Sequence, residues 1–106
     1  LTIAVADYLR LQYPEILFTH IANERQTSPM RGAKLKRMGV RAGMPDIMVF
    51  KDRIDYHGIA IELKIKPNKP TTSQIECLDR LKSEGWHCRV CYTFEEAKNI
   101  IDLYMK

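Results

Sequence analysis

Three charged side chains sit where an apolar strand would not be expected to carry them. Asp46 opens the run DIMVF, and Glu62 and Lys64 lie inside IAIELKI, residues 59–65. The second run alternates strictly. Ile59, Ile61, Leu63 and Ile65 point to one face, and Ala60, Glu62 and Lys64 to the other. Glu62 and Lys64 are then same-face neighbours, roughly 6.5–7 Å apart at the standard strand rise. Pro45 has no N–H to give to a ladder, so it suits the first residue of a strand and brings Asp46 in directly behind it. If the two runs pair through the polar connection between them, Asp46 comes beside Glu62.

Two adjacent carboxylates each raise the cost of ionising the other. A divalent cation reverses that effect, because it takes hard anionic oxygens as ligands and neutralises both. Such an ion lowers the pKa of a bound water and stabilises charge on a phosphoryl oxygen. A lysine alongside orients the attacking water or offsets negative charge in the transition state. The three residues therefore point to phosphodiester hydrolysis. Without Asp46, Glu62 and Lys64 would read as a solvated surface pair of little energetic worth.

The charge distribution points to the same substrate. The net charge is +4, and between Arg25 and Pro45 there are six cations (Arg25, Arg31, Lys34, Lys36, Arg37 and Arg41) and no acid. A one-signed stretch directly ahead of Asp46 fits contact with a phosphate backbone better than a merely solvated helix face.

Composition narrows the class further. The chain of 106 residues has room for one domain, residues 1–106, with one modest core. No run is long and apolar enough to cross a bilayer. No signal peptide is read at the start, and because Leu1 is not an initiator methionine an upstream segment is expected. Three cysteines, an odd number without a secretory signal, imply reduced thiols and a cytoplasmic setting. Cys88 and Cys91 form a CxxC, but three positions apart in the strand-like WHCRVCY they face opposite ways, and no second CxxC completes a zinc site. His20, His57 and His87 show no ligand spacing. Trp86 and the tyrosines read as core.

The elements that must position these residues follow from periodicity and punctuation. LTIAVADYLRLQ reads as a helix with Leu1, Val5, Tyr8 and Leu9 near one face, stopped by Pro14. ILFTHIA reads as a strand. Ser28-Pro29 opens a helix to about Met38, and Gly39 ends it. DIMVF and IAIELKI are strands joined by the polar KDRIDYHG. Thr71 with Gln74 makes a capping-box pattern and opens a helix with Ile75, Leu78 and Leu81 as its apolar stripe. Gly85 closes it, WHCRVCY is a strand, and Thr93 with Glu96 opens a last helix through Ala97, Ile100, Ile101 and Tyr104. The expectation is an α/β domain with a central mixed sheet of about four strands flanked by helices.

Pro45-Asp46 followed by Glu62-Leu63-Lys64 matches the PD-(D/E)XK nuclease signature. Together HIANERQTS, KLKRMGVRAGMPDIMV, IELK, TSQIECLDRLKSEGW and EEAKNIIDLYM resemble the VRR-NUC nucleases over most of the chain. The resemblance implies a restriction-endonuclease-like core and Mg2+ or Mn2+ as cofactor. It implies Asp46, Glu62 and the backbone carbonyl of Leu63 as metal ligands, Lys64 as the catalytic lysine and Gln74 as a further site residue. Gln74 is equally the capping-box partner of Thr71. A further acid on the first helix is implied; Asp7 is the acid in that helix here, and Glu24 is the other acid near the basic stretch. Stand-alone members resemble Holliday-junction resolvases and pair as homodimers, so four-way or otherwise branched DNA is the expected substrate. The alternatives are a non-catalytic DNA-binding module on the same scaffold and a flap or linear-duplex nuclease.

Overall fold

The computed structural model describes residues 1–22 and 28–106; Glu24 and Arg25, both singled out in the sequence, lie outside the described residues. The elements run α1 (Thr2–Gln12), β1 (Phe18–His20), α2 (Pro29–Arg37), β2 (Ile47–Val49), β3 (Ile59–Leu63), α3 (Thr72–Ser83), β4 (His87–Cys91) and α4 (Phe94–Met105). The order is the expected one, and the four strands form a single mixed sheet, β1-β2-β3-β4. The first three are antiparallel neighbours, and β4 runs parallel to β3. A parallel pair needs a crossover, which α3 supplies.

The sheet separates two apolar layers. Ile47, Val49, Ile59, Ile61 and Cys91 pack with Val5 and Leu9 of α1 and with Ala97, Ile101 and Tyr104 of α4. On the other face Met48, Ala60 and Cys88 pack with Leu78 of α3. Cys88 and Cys91 thus lie in different layers, as the strand period requires. Burial pushes both thiols up to about 11, which keeps them protonated.

Of the expected α3 stripe, Leu78 is buried and Leu81 packs against the same layer, while Ile75 faces outward. Ile75 is 48% exposed, and Gln74, Cys77 and Leu78 are the buried residues of the helix. The loop ahead of Asp46 comes close to this helix: a Cβ on Gly43 would stand 2.6 Å from the backbone C and O of Ser73, and the Cys77 thiol lies 3.6 Å from the Ala42 carbonyl. β3 also ends one turn of alternation early, since its last residue is Leu63 and Ile65 is 66% exposed.

Both ends of α2 are closed by local hydrogen bonds. Ser28 caps the helix by accepting from the Arg31 N–H at 3.1 Å. At the other end Val40 N–H donates to the Leu35 carbonyl and Gly39 N–H to that of Lys36. With Gly39 at φ +97°, this is a Schellman closure.

Candidate active site

Asp46 and Glu62 are brought together by the β2–β3 register. Ile47 pairs with Ile61 and Met48 with Ala60, so one step further along the ladder sets Asp46 opposite Glu62. Facing residues of an antiparallel pair hold their Cβ atoms about 4.5–5.5 Å apart on one face of the sheet. That face is the one Ala60 shares with α3. Glu62 is 1% exposed there, and Gln74 8%.

Asp46 is fixed from several directions. Its Oδ2 accepts the Leu63 N–H at 2.8 Å. Its own carbonyl accepts from the Ile21 N–H at 2.9 Å and from Nδ1 of His20 at 2.8 Å. Because a carbonyl only accepts, Nδ1 carries the proton in that bond. Pro45 ahead of it is fully buried, and Gly43 (φ +87°) adopts a conformation that glycine reaches without strain. Neither Gly43 nor His20 is marked out as a site residue by the sequence alone. A glycine three residues before the acid is a visible turn signal; the His20 contact leaves no local trace.

Leu63 turns its N–H towards Asp46, and in an extended residue the C=O points to the same edge. The Leu63 carbonyl is thus directed to the edge where Asp46 stands. Lys64 follows, with its N–H donated to the Cys91 carbonyl at 3.0 Å, so the chain is still tied to β4 at that point. Its ammonium makes no ion pair among the described residues.

Gln74 performs the capping role in full. Its Oε1 accepts the Thr71 N–H at 2.8 Å, and its own N–H donates to Thr71 Oγ1 at 3.3 Å. The side-chain nitrogen is the part of the amide not used by the cap. The contact of Gly43 with Ser73 and Gln74 N holds this first turn of α3 against the loop leading to Asp46.

The cations are elsewhere. Arg31, Lys34, Lys36 and Arg37 lie on α2, and Arg41 lies in the loop that joins α2 to Asp46; all are exposed. Asp7 is exposed on α1 and pairs with Arg10 at 3.5 Å. Among the described residues no group of three or more His, Cys, Asp or Glu side chains converges. The donor set at the site is therefore two carboxylates on facing positions and a backbone carbonyl. That all-oxygen set fits a hard divalent cation completed by water and phosphate oxygens. A separate groove of about 750 Å3, lined by Tyr56, His87, Leu103 and Tyr104 among others, lies at the far end of the sheet, where β2 leads into β3.

Comparison with known proteins identifies the fold and the family. The VRR-NUC domain model matches residues 4–95. A solved structure described as a VRR_NUC domain protein superposes with a TM-score of 0.77 at 27% identity, covering 98% of this chain and 83% of that one. A second, described as a VRR_NUC domain, shares the fold with a TM-score of 0.57 at 19% identity, over 94% of this chain and 92% of that one. No curated protein matches the chain.

Proposed function

The chain belongs to the VRR-NUC family, and from that premise we propose that it is a metal-dependent, structure-selective DNA endonuclease that resolves Holliday junctions or other branched DNA as a homodimer. A nuclease-type function with DNA as substrate comes with the family. Metal dependence is supported by one observation, the register that carries Asp46, next before β2, towards Glu62, with Asp46 held by the Leu63 N–H.

In this reading Asp46, Glu62 and the Leu63 carbonyl hold a magnesium or manganese ion. When bound, that ion supplies Lewis acidity at the scissile phosphate. Asp46 is kept in place by the Leu63 N–H, which leaves one of its two oxygens for a ligand. Lys64, on the same strand face as Glu62, offsets the negative charge that grows on the phosphate oxygens and orients the incoming water. The water oxygen forms the new P–O bond as the bond to one deoxyribose oxygen breaks; the water gives up a proton to solvent, and the leaving oxygen takes one from solvent to become a hydroxyl. Gln74 contributes its amide nitrogen from the first turn of α3. Arg31, Lys34, Lys36, Arg37 and Arg41, with Arg25 in the same stretch, hold the backbone on either side.

Dimerisation rests on symmetry and on surface. A four-way junction needs two symmetric cuts, which a two-fold assembly provides. Ile3 and Leu11 of α1 and Leu103 of α4 are 69–78% exposed on the two helices that pack together. Sedimentation of the free protein tests that part: a monomer at micromolar concentration rejects it.

The decisive experiment digests a four-way junction beside linear duplex, flap and single strand, with and without Mg2+ or Mn2+. Asp46→Asn and Lys64→Ala should each abolish cutting while binding survives. A second reading is a binding module without turnover, which the same exposed cations of α2 would serve equally. It prevails if the unaltered chain binds the junction and cuts nothing with either metal.

A further inference from the structure

Helix α2 buries none of its residues, unlike the other three helices. Gly32 and Leu35 are half-buried, whereas Met30 is 85% and Met38 70% exposed. Isolated apolar side chains on a surface need no explanation. These two are not isolated from the charge. At about 100° per residue, Arg37, Met30, Lys34, Met38 and Arg31 follow one another in that angular order across an arc of about 120°, and Gly32 and Leu35 fall outside it. Two long thioethers therefore stand between cations on the outward side of a helix that has no acid.

We propose that this arc of α2 reads DNA branches: the cations hold phosphates while Met30 and Met38 lie against base faces that have lost a stacking neighbour at the branch point. The inference rests on the DNA-nuclease reading above and names the feature of the substrate that α2 selects. A continuous duplex offers a cationic helix its phosphates, and that contact needs no apolar reach. A branch also offers unstacked base faces. Polarizable thioethers suit aromatic rings, and apolar side chains including Met serve as wedges at distorted base steps. The charge on the face excludes most other occupants, since a one-signed surface attracts a polyanion and repels basic partners.

The connection to the site limits the distance between branch and cut. The Schellman closure at Gly39 fixes the end of α2, and Gly43 fixes the loop against α3. The eight steps from Met38 to Asp46 span at most roughly 29 Å at full extension, less than the ~34 Å of one duplex turn. Cleavage should fall within one turn of the branch.

The test measures affinity for a four-way junction and for a linear duplex of the same arm sequence, by fluorescence anisotropy, with 2-aminopurine at the branch to report unstacking. Met30→Ala with Met38→Ala should lower the junction-to-duplex affinity ratio by about tenfold, the scale of two lost thioether–ring contacts, and weaken the 2-aminopurine signal. Met30→Leu with Met38→Leu should restore both. Lys34→Ala with Arg37→Ala should instead weaken junction and duplex alike and reduce the salt dependence of both. An unchanged ratio in the alanine double variant, with its melting temperature preserved, overturns the inference, as does an unaltered protein with no preference for the junction. Cutting of linear duplex by that same protein would leave the nuclease reading standing. Absence of any DNA binding would remove both.

Discussion

Two acidic regions of the molecule are handled in opposite ways. Asp102 on α4 accepts from the Tyr8 hydroxyl at 2.6 Å, the Tyr13 hydroxyl at 2.7 Å and the Lys98 ammonium at 3.1 Å. The chain surrounds that carboxylate with donors, and in doing so it ties α1 and the turn after it to α4. Asp46 instead receives the Leu63 N–H and faces a second carboxylate across the strands. Like charges directly opposite one another destabilise a sheet. An acid whose charge is matched by the chain's own donors stabilises the fold; in the metal-dependent reading proposed above, a pair set face to face would share a cation from outside. The two regions should therefore separate by assay.

The largest effect is expected at Glu62. Glu62→Gln should slow cleavage by about a thousandfold, or roughly 4 kcal/mol of transition-state stabilisation, because in the proposed reading it removes a metal-ligating charge and little volume. Chemical denaturation in EDTA should shift by less than about 1 kcal/mol, since glutamine keeps the volume of the side chain and one of its accepting oxygens. A collapse of stability with cleavage would place Glu62 with Asp102 as a structural acid and break the contrast.

Gly43→Ala should affect both assays. The new Cβ meets Ser73 backbone at 2.6 Å and φ is +87°. Neither the helix backbone nor the left-handed conformation yields cheaply, so a loss of about 3 kcal/mol is expected. Cleavage should fall further than stability explains, because the loop carries Asp46. A variant that melts normally would show that the loop does not depend on this contact.

Asp102→Ala should do the reverse of Glu62→Gln. Charge-assisted hydrogen bonds contribute roughly 1.5–3 kcal/mol each, and partial exposure reduces that. A total of about 2–3 kcal/mol is expected, or roughly 10–20 °C in Tm for a domain of this size. The specific activity of the folded protein should not change.

What the sequence made legible and what it hid divide along the same line. Asp46, Glu62 and Lys64 were visible because strand alternation and a preceding proline are local patterns, and the cap at Thr71 was visible for the same reason. The Asp102 cluster was not, because Tyr8 is 94 positions away and Tyr13 89, and a tyrosine on a helix face carries no sign of its partner. On α3 the local period placed Leu78 and Leu81 correctly and Ile75 wrongly, because the burial of Gln74 depends on a neighbour, the loop at Gly43, that is distant in sequence. Element order, capping and the acidic pair belong to short-range chemistry; rotation of a helix about its axis belongs to tertiary packing.

The Asp102 network also has a pH signature. Burial alone would raise the Asp102 carboxyl, but the hydrogen bonds from Tyr8, Tyr13 and Lys98 outweigh it and hold the group below its ordinary value. Its contribution is present above the ordinary carboxylate range and is lost as pH falls through the lowered value. The hydrogen bond to Asp102, with burial, pushes Tyr8 and Tyr13 up to about 12. That contribution is complete below about pH 10, the ordinary tyrosine value, and is lost as pH rises towards the raised one. The stability difference between the unaltered protein and Asp102→Ala should therefore be flat near neutrality and shrink towards each extreme. A difference that slopes through neutral pH would assign the stabilisation to another group.

The smallest expected effect lies where the two kinds of region meet. Gln74 uses Oε1 and its N–H for the cap, and its amide nitrogen is left for the site. Thr71→Ala removes the capping hydroxyl and leaves the glutamine in place, so it should cost about 1 kcal/mol and leave cleavage by the folded protein unchanged. Gln74→Ala should cost a similar amount of stability, because the reciprocal bond to the Thr71 N–H is lost. It should in addition slow cleavage by about tenfold, or roughly 1.4 kcal/mol. The informative quantity is the ratio of the two cleavage rates at matched folded fraction. A ratio near one makes Gln74 a helix cap alone, on the structural side with Asp102. A ratio near ten makes the same amide a cap through its oxygen and a site residue through its nitrogen, and the first turn of α3 then belongs to the fold and to the chemistry at once.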